Sequence, residues 1–268
     1  MENKLQIISN QIRLKVLEIV AAKKIGHIGG TFSCVDLLVS MYYGGCLNYS
    51  DDNYPDKFIL SKGHACLALY VILNDLGLIT NEKLDSYGQD GGLGGQLDIG
   101  INGVDWNTGS LGHALGVCAG IAHSSKLLNK NYKAITILGD AECDEGSVWE
   151  AILHISDFKL TNLIAIVDRN RLSVTEVIKD NAVFKLLPVA LPKLGWFYKE
   201  IDGHSFTEII SAIQESKIAN KPSFIVANTI KGKGVSYMEN ELKWHHSVPT
   251  KEQLEIAYKE LRLSLIHI

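Results

Sequence analysis

The residues best suited to hold a hard cation stand at the ends of two apolar runs. In ILGDAECDEGSVWE, residues 137 to 150, the first run stops at Gly139-Asp140 and a cluster of acids follows. A second run, beginning at Leu163, stops at Asp168-Arg169-Asn170. Asn170 lies 31 residues after Gly139, the size of one β-α-β unit, so Asp140 and Asn170 can meet at one rim of a parallel sheet. Magnesium binds through one or two carboxylates and completes its octahedron with water and substrate phosphates. One Asp plus one Asn therefore describes a site that expects a phosphate. The same spacing also admits a purely structural reading, with Asp140 capping a helix that starts at 146 and Asn170 in a tight turn.

Such residues need a scaffold that delivers strand ends to one place. Leu5, Ile8, Ile12, Val16, Ile19 and Val20 recur three or four apart, the period of a helix with one buried face. A second helix is expected from Cys34 to Tyr43 with Ser33 as its cap. The short apolar piece Phe58 to Leu60 runs into SKGHA, and Cys66 to Leu76 reads as a helix closed by Gly77. The glycine-rich stretch 86 to 103 reads as a surface loop. From there the order is regular: helix 112 to 128, strand Ala134 to Leu138, helix 146 to 157 and strand Leu163 to Val167. It continues with a helix near 182 to 194, a strand from Trp196 to Ile201, a helix from Phe206 to Ala219 and a strand from Ser223 to Ala227. This alternation predicts an α/β fold, a three-layer α/β/α arrangement around a mainly parallel sheet. Ligands of such sheets bind beyond the carboxyl ends of the strands, where the following helices point their N-termini.

Composition narrows the class. A chain of 268 residues, 46% of them hydrophobic, can bury a large core and sits near the upper limit of one domain. No linker or repeat divides it, so residues 1–268 are expected to form a single domain. Net charge is −4 without a basic block, which argues against nucleic acid or anionic membrane as partners. Cys34, Cys46, Cys66, Cys118 and Cys143 are an odd, sparse set that fits a reducing compartment. MENKLQIISN lacks the apolar core of a signal peptide, and a cytoplasmic protein is expected. Trp106 to Ser125 carries no formal charge but has two histidines and four glycines, too polar to span a bilayer. It is read as a turn followed by a buried helix.

GDAECDEGSVWEA, followed at one β-α-β unit by NLIAIVDRNRLSVT, resembles the thiamine-diphosphate fingerprint, and the chain is similar to the transketolase family in particular. GHIGGTFSCVDLL at 26 to 38, LSKGHACLALY at 60 to 70, TGSLGHALGVCAGIA at 108 to 122, IDGH at 201 to 204, TIKGKGVSYMEN at 229 to 240 and WHHSVPT at 244 to 250 follow in the family's order. The resemblance covers nearly the whole chain but only the first of the family's three domains. It implies the diphosphate-binding, N-terminal subunit of a split transketolase, with thiamine diphosphate and Mg2+ (or Ca2+ or Mn2+) as cofactors. A separate subunit would bring the pyrimidine-binding domain and its activating glutamate, and two copies of each chain are expected.

Site roles are implied residue by residue. Asp140, Asn170 and the backbone carbonyl of Leu172 match the metal ligands, and Gly139 and Ala141 match the diphosphate turn, with the Ala141 N–H offered to the ligand. An alanine serves there if its φ is negative. Gly109, Ser110 and Leu111 match the turn that contacts the aminopyrimidine. His64 and His245 match histidines facing cofactor and substrate, and His27 one beside the substrate's hydroxyls. Histidine suits proton transfer near neutrality, while the electron-sink chemistry belongs to the cofactor. Glu145 matches an acid at the subunit boundary.

One position departs from the family. Where related enzymes commonly read GHP, this chain reads GGQLD around Gly94, Gly95 and Gln96. Gln96 exchanges hydrogen bonds but takes up no proton at neutral pH, which points toward a modified or nucleotide-linked sugar in place of the ordinary pentose phosphates. His113, His123 and His154, inside expected helices, are given no role. Gly112, Gly116 and Gly120 are expected to permit close helix-to-sheet packing. Glu142 and Asp144 are expected to be solvated or near a helix N-terminus. His246 is the less favoured histidine of its pair, and KGKG lacks the spacing of a phosphate-loop ATPase motif. The leading reading is ketol transfer between sugars. The alternatives are a 1-deoxyxylulose-phosphate-synthase-like or 2-oxo acid decarboxylating component, and a non-catalytic subunit that retains the fold.

Overall fold

Five short apolar strands form one wholly parallel sheet: β1 (Lys57–Leu60), β2 (Ala134–Gly139), β3 (Leu163–Arg169), β4 (Phe197–Asp202) and β5 (Ser223–Asn228), in spatial order β1-β2-β3-β5-β4. The computed structural model describes residues 2–49, 55–173, 176, 178 and 181–266. Val174 and Thr175, the last two residues of the NLIAIVDRNRLSVT motif, lie outside the described residues.

Strands β1, β2, β3 and β5 are buried on both faces, as is usual for a parallel sheet, while of the edge strand β4 only Ile201 is buried. Alternate side chains enter two separate cores. Ile135, Ile137, Ile164, Ile166 and Ile225 join one of them. That core is completed by α1 (Glu2–Lys23), α2 (Ile28–Tyr42), α3 (Cys66–Asp75), α8 (Phe206–Ile218) and α9 (Lys251–Ile266). Leu138, Leu163, Ala165, Val167 and Val226 face the other core, under α5 (Ala114–Leu127), α6 (Gly146–Asp157) and α7 (Ala182–Lys193). The result is the expected three-layer α/β/α arrangement. Register does the positioning: Gly139 lies opposite Asp168, and Arg169 opposite Asn228, so the polar ends of β2, β3 and β5 form one rim.

Four local expectations are corrected. Helix α2 starts at Ile28 and every residue in it is buried, so Ser33 is an interior residue and not a cap. Its hydroxyl donates to the Gly30 carbonyl at 3.0 Å and to Asp168 Oδ2 at 2.5 Å. Helix α5 is buried on one side only. Gly116 and Gly120 are exposed, and a Cβ built on either meets nothing within 4 Å, so these glycines do not serve close packing on the sheet. The stretch 86 to 103 is a loop, but Leu93 and Leu97 anchor it in the core and it carries Gln96 inward. Two helices have no counterpart in the sequence pattern, α4 (Asn81–Asp85), capped by Thr80, and α9.

A buried ion pair ties α1 and α2 to the IDGH loop after β4. Arg13 donates to Asp36 Oδ1 and Oδ2 at 3.0 and 2.7 Å, and His204 Nδ1 lies 2.7 Å from Oδ2. Against the upward push of burial, Arg13 and His204 hold the Asp36 carboxyl well below the usual carboxylate range. The other ring nitrogen, Nε2, accepts from the Ile230 N–H at 2.8 Å, which sets the backbone just before Lys231.

Candidate active site

The rim opens onto a cavity of about 240 Å³. Asp140, directly after β2, is 4% exposed. Its Oδ2 accepts from the Arg171 N–H at 2.5 Å and its Oδ1 from the Ala141 N–H at 2.9 Å. Arg171 has a φ of 62°, a left-handed conformation that costs a non-glycine residue energy and clusters at functional sites. Its neighbours Asn170 and Leu172 line the same cavity as Asp140. Asn170 Oδ1 accepts from the Leu172 N–H at 3.1 Å while its Nδ2 faces Ser33 Oγ at 3.4 Å.

The charges at this rim are unequally satisfied. Lys62, which follows β1, is 2% exposed and donates to Asp168, to the Gly30 carbonyl at 3.0 Å and to Ser33 Oγ at 3.3 Å. Although burial alone would lower its pKa, the Asp168 carboxylate raises it. Thr229 also donates to Asp168, so that acid is fully engaged. Among the described residues no ion pair is formed by Asp140: burial, then the Asp168 charge, push its carboxyl up to about 6 against the weaker pull of two backbone N–H groups and Lys62. A carboxylate held ionised only with difficulty, in a cavity that Asn170 and Leu172 also line, fits a hard divalent cation whose charge removes the penalty.

Three histidines line the same cavity as this acid. His27 precedes α2, His64 lies in the turn after β1, and His245 ends the 3-10 turn Leu242–His245. Their ring centroids are 5.5 Å (His27–His64), 5.6 Å (His27–His245) and 5.5 Å (His64–His245) apart. His246 stacks edge-on against His27 at 4.8 Å. Burial lowers the pKa of all three clustered rings, His245 to about 4, with nearby lysines and the neighbouring histidines adding to it. His27 Nδ1 is buried with no partner among the described residues. Lys231, beyond β5, donates to the Ser173 carbonyl at 3.0 Å and lies 3.1 Å from His245 Nδ1. Burial, then Lys62, lower its pKa to about 8. The cluster gathers because Gly29 lets the WHH segment seat on α2: a Cβ there would lie 2.7 Å from the Trp244 carbonyl.

The family model described as "Transketolase, thiamine diphosphate binding domain" matches residues 4–264. The chain belongs to the transketolase N-terminal, thiamine-diphosphate-binding family. It is 38% identical over 262 residues to an apulose-4-phosphate transketolase subunit of Phocaeicola vulgatus, covering 96% of this chain and 93% of that one. It is 35% identical over 265 residues to a 6-deoxy-6-sulfo-D-fructose transketolase subunit of Clostridium sp., covering 96% of both. The transketolase of Campylobacter jejuni superposes with a TM-score of 0.88 at 26% identity, over 98% of this chain and 45% of that one. The chain thus spans less than half of that transketolase and nearly all of the two subunits.

Most residues singled out by the transketolase motifs line one cavity: His27, His64, His245, Gly109, Leu111, Gly139, Asp140, Ala141, Asn170 and Leu172. Ser110 and Glu145 are exposed beside it and outside its lining. Ala141 has no positive φ, which meets the condition set for an alanine in the diphosphate turn. Its N–H points at its neighbour Asp140 in this structure. Of the two settings expected for Glu142, the structure shows the helix N-terminus, in the first turn of the 3-10 helix Ala141–Asp144, and not solvation. Glu142 is 1% exposed and accepts from Ser61 Oγ, from the Gly112 N–H at 2.9 Å and from the Gly139 N–H at 3.0 Å. Lys62 and Lys231 also line the cavity, and sequence reasoning gave them no role. The only signal for them is their place inside the motifs SKGHA and TIKGKG. Gln96, the departure from the family pattern, lines the cavity as well, and its Oε1 is buried without a partner among the described residues, as is Thr108 Oγ1.

Proposed function

We propose that this chain, residues 1–268 as one domain, is the diphosphate-binding subunit of a two-chain, cytoplasmic transketolase-like enzyme that moves a two-carbon ketol unit between sugars. The convergence of Asp140 and Asn170 from adjacent parallel strands on one cavity that three histidines also line carries this reading. Two relatives of nearly equal length, named as transketolase subunits, support a separate partner carrying the pyrimidine-binding domain, two copies of each chain making the assembly. The five cysteines are buried and unpaired, and none of the described helices is long and apolar enough to cross a membrane.

In this reading Asp140, Asn170 and the Leu172 carbonyl hold Mg2+, which Ca2+ or Mn2+ can replace. Gly139 and Ala141 approach the diphosphate, Gly109, Ser110 and Leu111 the aminopyrimidine, and His64 and His245 the reacting end of the cofactor. Thiamine diphosphate, when bound, supplies the electron sink for breaking and making the carbon–carbon bond. The chain's own work is orientation and proton handling. His27, neutral at pH 7 with a free buried Nδ1, exchanges protons with a sugar hydroxyl. Gln96 Oε1 awaits a hydrogen-bond donor that a sugar supplies, and because it does not titrate, it reads that group equally at all pH. Gln96 in place of the family's histidine, beside a relative named for 6-deoxy-6-sulfo-D-fructose, supports a modified ketose as donor. Glu145 faces the partner subunit.

The test is product analysis with chain and partner combined, ketose phosphates and 6-modified ketoses against pyruvate as donor. Ketose-dependent transfer to an aldehyde acceptor is expected. Pyruvate-dependent decarboxylation would replace this reading with the synthase-like or 2-oxo acid alternative, and no turnover with any donor would leave a binding subunit.

A further inference from the structure

We propose that Lys231 is a positioning residue that fixes which nitrogen of His245 carries the proton, so that His245 faces its ligand as a hydrogen-bond donor through Nε2. Lys231 leaves the end of β5 at 1% exposure, and its ammonium is aimed by two contacts, the Ser173 carbonyl at 3.0 Å and His245 Nδ1 at 3.1 Å. An ammonium has three donors and no acceptor. The ring nitrogen it faces must therefore present a lone pair, and in a neutral imidazole the single proton then sits on Nε2. The ring is neutral at pH 7 because burial and the adjacent Lys231 and His27 oppose its protonation.

The consequence is a division of labour within the cluster. His245 cannot take up a proton at Nδ1 without breaking its contact with Lys231, and Nε2 already carries one. What it offers is an N–H for an oxygen that gains negative charge, the electrostatic role of a preorganised donor. His27 is unlike it: the buried Nδ1 has no partner among the described residues, so none of them fixes its tautomer through that nitrogen. His27 is thus the ring left free to move protons, and His245 the ring locked to donate. This division rests on the ketol-transfer reading, but the tautomer of His245 does not.

The test is a long-range proton–nitrogen correlation spectrum of the full chain labelled with nitrogen-15 histidine, at pH 7, with the His245 signals assigned by their loss in His245→Gln. A protonated Nε2 and an unprotonated Nδ1 are expected for His245. Lys231→Arg, which keeps a donor, should preserve that pattern, whereas Lys231→Met should let the Nδ1-protonated form appear. A wild-type ring protonated at Nδ1, or a pattern unchanged in a folded Lys231→Met variant, would overturn the proposal. The wild-type spectrum decides even where a variant does not fold. No cofactor or partner is in the tube, so failure here leaves ketol transfer standing, and failure of cofactor binding leaves the tautomer standing.

Discussion

His27 and Asp140 differ in what surrounds them, and their variants should fail differently. His27 has an orphaned ring nitrogen among the described residues and is not one of the proposed metal ligands, so His27→Ala should lower turnover by about 10²–10⁴-fold, the usual worth of proton transfer, while cofactor affinity stays near its wild-type value. Steady-state rates beside a binding isotherm separate the two, and equal losses in both would refute the role. The histidines also set an acid limit. Their folded pKa values are depressed, so between the ordinary 6.5 and about 4 for His245 the unfolded chain binds protons that the folded one refuses. Stability is therefore full above pH 6.5 and falls as pH drops toward the folded value. Urea midpoints across this window should decline less steeply in His245→Gln, and a parallel decline would show that other groups set the limit. These residues are legible in the sequence as a set because each sits in a motif. Lys62, Lys231 and Glu142 are not, since all the partners of their side chains but Gly139 lie 14 to 106 residues away, and a charge inside a motif carries no mark of burial.

At the scale of elements, Glu142 shows how one side chain fixes three turns. It joins the end of β1 through Ser61, the end of β2 through Gly139 and the turn before α5 through Gly112. All three groups donate, so a glutamine amide would place its own N–H against the Gly139 N–H. Glu142→Gln should destabilise the chain by about 1–3 kcal/mol, the penalty for a buried unsatisfied donor. Thermal unfolding measures it, and an unchanged midpoint would show that the three turns hold without the carboxylate. The alternation of strands and helices from residue 112 onward is readable because parallel strands are continuous apolar runs bounded by turn residues. The start of α2 is not. Gly29 and Gly30 are poor helix formers and read as loop, but the approach of Trp244 at 2.7 Å from a Cβ on Gly29 requires a glycine inside the helix. Tertiary packing overrides local propensity there. The Gly116–Gly120 stripe misleads for the converse reason: periodicity marks a face without saying whether sheet or solvent lies against it.

At the scale of the molecule, one rim of one sheet gathers the carboxyl ends of β1, β2, β3 and β5, and both sequence motifs and family membership converge on it. The same chain aligns along almost the full length of two transketolase subunits and under half of a complete transketolase, which supports the proposal that a partner carries the activating pyrimidine domain. On that proposal the chain alone should bind the cofactor weakly, because half of the binding surface comes from elsewhere. Calorimetric titration of thiamine diphosphate into the chain combined with its partner subunit, with and without Mg2+, tests this most directly. Binding that requires Mg2+, is much weaker to the isolated chain, and falls in Asp140→Ala by more than the roughly 10–100-fold worth of an outer-shell contact is the predicted result. An absence of binding to the combined subunits, or binding that Asp140→Ala leaves untouched, would contradict it.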